Sequence, residues 1–175
     1  MRSLHFITAS LLLSFNPLAY AAQMHATMHE VNASAVGKEA GKVKAKDTDQ
    51  GLEIHVELEG LTPGQHGFHM HKNASCDPAA KDGVATAAWG AGPHFDPANT
   101  GKHEGPAGNG HQGDLPVLTA DAAGKVNMKV VAPHLKEADL QGHSFMIHAG
   151  PDNYSDQPSP LGGGGARVMC GVIEK

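Results

Sequence analysis

The chain has 175 residues, a formal net charge of −5, 13 histidines and only 5% aromatic residues. A modestly negative balance argues against a nucleic-acid binder. With 22 glycines and 11 prolines, the composition fits a β protein with long loops.

Residues 1–21 have the pattern of a secretory signal: Met1-Arg2 is positive, 4–18 is mostly apolar, and Ala19-Tyr20-Ala21 ends in small residues. The apolar stretch is shorter than the roughly 20 residues a membrane-spanning helix needs, and no later segment is apolar enough to span. Cleavage after Ala21 is expected, with export and no membrane attachment afterwards. The mature chain, 22–175, suits one domain burying about 70% of its unfolded surface.

Met24 to Val31 alternates, with Met24, Ala26 and Met28 on one face and His25, Thr27 and His29 on the other. Gly41 to Lys46 is a short polar strand candidate. In Gly51 to Leu58, Leu52, Ile54, Val56 and Leu58 point one way and Glu53, His55 and Glu57 the other. The three segments predict an antiparallel meander. The stretch His66-Gly67-Phe68-His69-Met70-His71 follows a Pro63-Gly64 turn signal. As a strand it puts His69 and His71 on one face, where two imidazoles can reach one metal ion.

Residues 73–113 show little periodicity and many glycines and prolines, which predicts a long functional loop. Strands are expected again over Asp114–Thr119 and Lys125–Ala132, a helical turn over Leu135–Leu140, and a strand over Ser144–His148. A second loop over Ala149–Gly165 ends in four glycines, expected to give a flexible approach to Arg167. The last strand is Arg167–Ile173. About eight strands and two long loops, without strand–helix alternation, predict an all-β sandwich or flattened barrel.

The two cysteines, Cys76 and Cys170, read as one disulfide in an exported protein. Free thiols or a cysteine–metal site are the alternatives. A loop this long predicts about 4–5 kcal/mol of stabilisation in the chain-entropy picture.

Histidine then decides the chemistry. His69, His71, His94, His103, His111 and His148, with Asp114, offer imidazole and carboxylate ligands that suit zinc and copper rather than calcium or magnesium. His103, His111 and Asp114 with one more imidazole would make a closed zinc site. His69, His71 and His148 with a fourth imidazole would suit copper(II). His94 is available to both.

The ordered set His66-Gly67-Phe68-His69-Met70-His71, Gly92-Pro93-His94-Phe95-Asp96-Pro97, His111-Gln112-Gly113-Asp114-Leu115, His148, and Arg167 before Cys170-Gly171-Val172-Ile173 resembles copper,zinc superoxide dismutase. Gly101-Lys102-His103-Glu104-Gly105-Pro106 and Asp152-Asn153-Tyr154-Ser155-Asp156 are similar to its bacterial periplasmic branch. The resemblance covers about Met24 to Ile173. It implies an eight-stranded Greek-key sandwich or flattened barrel. It implies copper on His69, His71, His94 and His148, and zinc on His94, His103, His111 and Asp114. It implies Asp152 as the carboxylate linking His69 and His103 from behind, His66 as a structural histidine, and a Cys76–Cys170 bridge. It implies dismutation of superoxide, with Arg167 attracting the anion and His94 supplying a proton. A copper- and zinc-binding domain for metal delivery or storage is the alternative, and Arg167 argues against it. A zinc hydrolase is a further rival, lacking an open three-ligand site and a general base.

The second loop has no lysine and carries Asp152 and Asp156, so steering charge must come from elsewhere: Lys72, Lys81 or Lys102. Trp89, the only tryptophan, is an interface anchor that predicts a homodimer, or a loop core residue. His25 and His29 beside Met24 and Met28 form an amphipathic first strand or a copper-recruiting end. His55, His134 and His143 are expected in solvent. Asn32, Asn73 and Asn153 begin N-x-Ser triplets without meaning in a bacterial periplasm.

Overall fold

A computed structural model describes residues 23–175; the expected signal, 1–21, lies outside the described residues. Eleven strands run through the chain: β1 (Met24–Val31), β2 (Val36–Thr48), β3 (Gly51–Leu58), β4 (Gly64–His66), β5 (Phe68–His71), β6 (Ala79–Lys81), β7 (Val84–Thr86), β8 (Leu118–Ala120), β9 (Val126–Ala132), β10 (Ser144–His148) and β11 (Arg167–Val172). Seven form one antiparallel sheet in the order β5-β10-β11-β1-β2-β3-β9. The pair β4–β8 lies between its edges, because β4 leads into β5 and β8 precedes β9. The sheet thus curls into an all-β barrel, and β4 with β5 acts as one bent strand. Counted so, eight strands make the barrel, and β6–β7 is an added hairpin.

The period-two patterns decide which face is inside. Met24, Ala26 and Met28 are buried on β1, and Leu52, Ile54, Val56 and Leu58 on β3. Phe68 and Phe145 meet inside with ring centroids 5.4 Å apart. β5 and β10 differ from the rest, since every residue on both is buried. Phe68 and Met70 face the barrel core. His69 and His71 face outward and are covered by the long loop. A smaller apolar cluster of Val31, Cys76, Ala88, Ala91, Met146 and Cys170 lies under that loop.

The strand expected over Gly41–Lys46 is longer, Val36–Thr48. Gly41 sits at an irregularity in the β1–β2 pairing with φ 138°, where a Cβ would strike the Glu57 and Leu58 backbone of β3. Only glycine fits there. The histidine strand breaks at Gly67, whose N–H donates to Gly150 O and whose carbonyl accepts from His148 N. Asp114 is not in a continuous strand. It makes one bridge to His69, and Pro116, lacking an N–H, delays regular pairing until Leu118. The expected helical turn is a 3-10 turn over Glu137–Asp139. The loop after β5 holds the β6–β7 hairpin and a 3-10 turn over Trp89–Ala91.

Candidate metal centre

Six buried side-chain polar atoms among the described residues lack a hydrogen-bond partner, and five are ring nitrogens: His69 Nδ1, His71 Nε2, His94 Nε2, His103 Nδ1 and His148 Nε2. An unpaired buried polar atom is costly. His103 Nδ1 has the Asp114 carboxylate 2.9 Å away, outside hydrogen-bonding geometry; the other four, with no carboxylate beside them, need a common explanation.

The opposite nitrogen of each ring supplies it. His71 Nδ1 donates to Gly92 O at 2.8 Å, and His148 Nδ1 to Gly165 O at 3.1 Å. A carbonyl only accepts, so these nitrogens carry the proton and Nε2 keeps its lone pair. His69 Nε2 donates to Asp152 Oδ2 at 2.7 Å, leaving Nδ1 free. One ligand atom each from His69, His71, His94 and His148 fall within 4.8 Å of one another. Burial, and the nearby His94, push His69 and His71 well below the usual imidazole range, and burial holds His148 at about 4. Four neutral imidazoles with convergent lone pairs suit a cation such as copper.

On the other side of His94 the arrangement changes. Asp114 Oδ1 is 2.9 Å from His94 Nδ1 and 3.3 Å from His111 Nδ1, and Asp114 Oδ2 is 2.9 Å from His103 Nδ1. Ligands about 2.0–2.1 Å from a tetrahedral zinc stand about 3.3 Å apart, so these separations fit the edges of such a site. His103 Nε2 is 2.8 Å from Asp152 Oδ1. Burial pushes His103 down, but Asp114 and Asp152 outweigh it and hold it up at about 9. Two carboxylates around one buried ring demand positive charge, as a proton or as a metal ion.

Asp152 ties the two groups together. Its carboxylate takes His69 on one oxygen and His103 on the other, and Tyr154 N donates to Oδ1 at 2.7 Å. Burial would raise its carboxyl, but these donors hold it well below the usual range. His66 binds elsewhere, with Nδ1 2.7 Å from His148 O and Nε2 2.8 Å from Thr62 O.

Arg167 stands at the mouth. Nη1 donates to Ala88 O at 2.6 Å and Nη2 to Gly92 O at 2.7 Å. Burial lowers its guanidinium to about 10, so it stays charged at neutral pH. With His71, His94, His148 and Lys81 it lines a cavity of about 310 Å³. Cys170, three residues on, is bridged to Cys76 with Cα atoms 5.6 Å apart. The free-thiol and cysteine–metal alternatives are thereby set aside.

A family model described as copper/zinc superoxide dismutase matches residues 39–173. The chain belongs to the copper/zinc superoxide dismutase family. The Cu-Zn superoxide dismutase of Brucella abortus is 51% identical over 99% of this chain and all of its own length. The solved Cu/Zn superoxide dismutase from Brucella abortus has TM-score 0.86 and 53% identity over 87% of this chain and 100% of that one. The monomeric copper, zinc superoxide dismutase from Salmonella enterica has TM-score 0.77 and 52% identity over the same shares. Copper and zinc are the cofactors of this superoxide dismutase fold, and the activity is conversion of superoxide to dioxygen and hydrogen peroxide.

The expected ligand residues, Asp152 and Arg167 lie together, on backbone that the sequence did not mark. The carbonyls of Ala88, Gly92 and Gly165 hold Arg167, His71 and His148, and a carbonyl has no residue-type signature. Asp156, expected only as an acidic residue of the second loop, accepts from His103 N at 3.0 Å and Leu161 N at 3.1 Å and so joins the two loops. The glycine run is no flexible approach. A Cβ on Gly162 would clash with Asp152 Oδ1 and His103 Nε2, and one on Gly164 would lie 3.1 Å from His148 Cβ. Nor is His143 simply in solvent: it donates to Lys72 O at 2.7 Å and its ring centroid is 4.4 Å from that of Phe95.

Proposed function

We propose that His69, His71, His94 and His148 hold the copper, that His94, His103, His111 and Asp114 hold the zinc, and that His94 is shared. The convergence of four unpaired buried ring nitrogens carries this reading. His69 is also within 4.8 Å of His94, His103 and Asp114, but it has a single free nitrogen because Asp152 takes the other. His111 therefore completes the zinc set through its contact with Asp114.

Copper held by His69, His71, His94 and His148 would supply the one-electron chemistry by which one superoxide is oxidised to dioxygen and a second, with two protons, is reduced to hydrogen peroxide. Arg167 attracts and orients the anion beside the free nitrogens of His71, His94 and His148. Released from copper on its reduction, His94 Nε2 would carry one of the two protons that peroxide needs, and solvent would supply the other. Asp152 keeps the His69 and His103 rings in one orientation, and Asp114 organises the zinc side. Lys81, on the cavity wall with Arg167, supplies the steering charge that the second loop lacks.

The mature domain is 22–175, exported to the periplasm by the signal at 1–21. Each chain holds a complete site, so a homodimer is not needed for the chemistry; molecular mass across protein concentration decides assembly. Loading metal-free protein with copper and zinc should give rapid superoxide removal. Both metals bound without activity would overturn the enzyme reading in favour of a metal-carrying domain.

A further inference from the structure

The cation side of the cavity is built on one aromatic ring. Arg167 Cζ lies 4.5 Å from the centroid of Trp89, and Lys81 Nζ lies 4.7 Å from the same centroid. The turn that carries Trp89 starts from Ala88, in a left-handed conformation at φ 47°, and ends at Gly92, φ 76°. Those two residues are the ones whose carbonyls receive Arg167.

Arg167 and Lys81 differ in what else holds them. Arg167 has two carbonyl acceptors. Lys81 ends the short, exposed strand β6, and among the described residues no carboxylate or carbonyl pairs with its ammonium. A lysine side chain free in water samples many rotamers, and its charge would be spread over a wide volume. The electron-rich face of an indole attracts a cation within about 6 Å, so among the described residues Trp89 is the contact that keeps the Lys81 charge at the cavity. A field focused at a site mouth raises the encounter rate of an anion and is weakened by salt.

We propose that Trp89 is a positioning residue for the reaction, holding Lys81 at the cavity that Arg167 also lines so that both cations act on the incoming anion. The proposal rests on the dismutase reading and adds to it a role for an aromatic side chain.

A double-mutant cycle on the copper- and zinc-loaded enzyme tests it, with kcat/KM for superoxide measured from low to high salt. K81M should lower the low-salt rate about two- to fivefold, a modest share of what electrostatic steering can supply, and should flatten the salt dependence. In a W89L background, K81M should have little further effect. W89F, which keeps an aromatic face, should retain most of the wild-type K81M effect. Equal fractional losses from K81M in wild type and W89L would overturn the proposal, since the two residues would then act independently. Emission gives a second readout that needs no W89L protein, because Trp89 is the only tryptophan. K81M should shift the emission maximum, and an unchanged spectrum would contradict the contact. Wild-type protein inactive with both metals bound would instead sink the dismutase reading, so the two failures are distinct.

Discussion

His94 can serve two metals because its two nitrogens face different neighbours: Nε2 turns to the imidazole group and Nδ1 to Asp114. Asp152 works the same way from behind, with one oxygen for each side. Asp152→Asn should therefore weaken both metals, by about 10- to 100-fold, the usual loss for an outer partner of a ligand. Chelator competition measures this, and unchanged affinity for both metals would remove Asp152 from the account. In the proposed reaction Arg167 acts on the anion and not on the metals. Arg167→Ala should cut kcat/KM roughly tenfold or more at low salt while metal content stays the same. An unchanged rate would refute the guidance role. Strand periodicity alone put His69 and His71 on one face, whereas Asp152 and Arg167 were expected from the family resemblance. The carbonyls that orient them were not, since any residue can supply one.

Two loops wrap the bent strand of β4 and β5, and each is fastened by contacts distant in sequence. The disulfide spans 94 residues and covers a small apolar cluster. Replacing both cysteines by serine should cost about 2–5 kcal/mol of stability. It should also reduce activity more than metal content, because Cys170 anchors the strand that carries Arg167. Denaturant unfolding and metal analysis check this together, and full activity in the double variant would contradict it. The second loop depends on close approach: Gly162, at φ 71°, leaves no room for a Cβ beside Asp152 and His103. Gly162→Ala should release zinc before copper, as metal-exchange kinetics would show; a variant that keeps its zinc would rule out this packing role. The β6–β7 hairpin was overlooked in the sequence although Asp82-Gly83 marks it. Both residues have positive φ, 51° and 81°, and an Asp-Gly pair of this kind is a strong short hairpin signal. Surrounding alanines gave no alternation to support it.

At the scale of the whole molecule, the barrel is a rigid wall and the loops are the reactive layer. Meander strands with clean alternation were legible end to end. The closure of the sheet through β4 and β8 was not, because three-residue strands carry almost no periodic signal. The metal sites join β5 and β10 to both loops, so metal binding should stabilise the folded chain. Removing both metals should lower the melting temperature, and zinc alone should recover most of it, since the zinc set draws on the long loop and on Asp152's partner His103. A melting curve indifferent to zinc would contradict that.

The central claim is that two different ions share His94. Anomalous diffraction at the copper and zinc absorption edges, from crystals of the loaded protein, tests it most directly. The account predicts a copper peak among His69 Nδ1, His71 Nε2, His94 Nε2 and His148 Nε2, and a zinc peak bounded by the Nδ1 atoms of His94, His103 and His111 and by Asp114. A single shared peak, or zinc bound by His69 in place of His111, would contradict it.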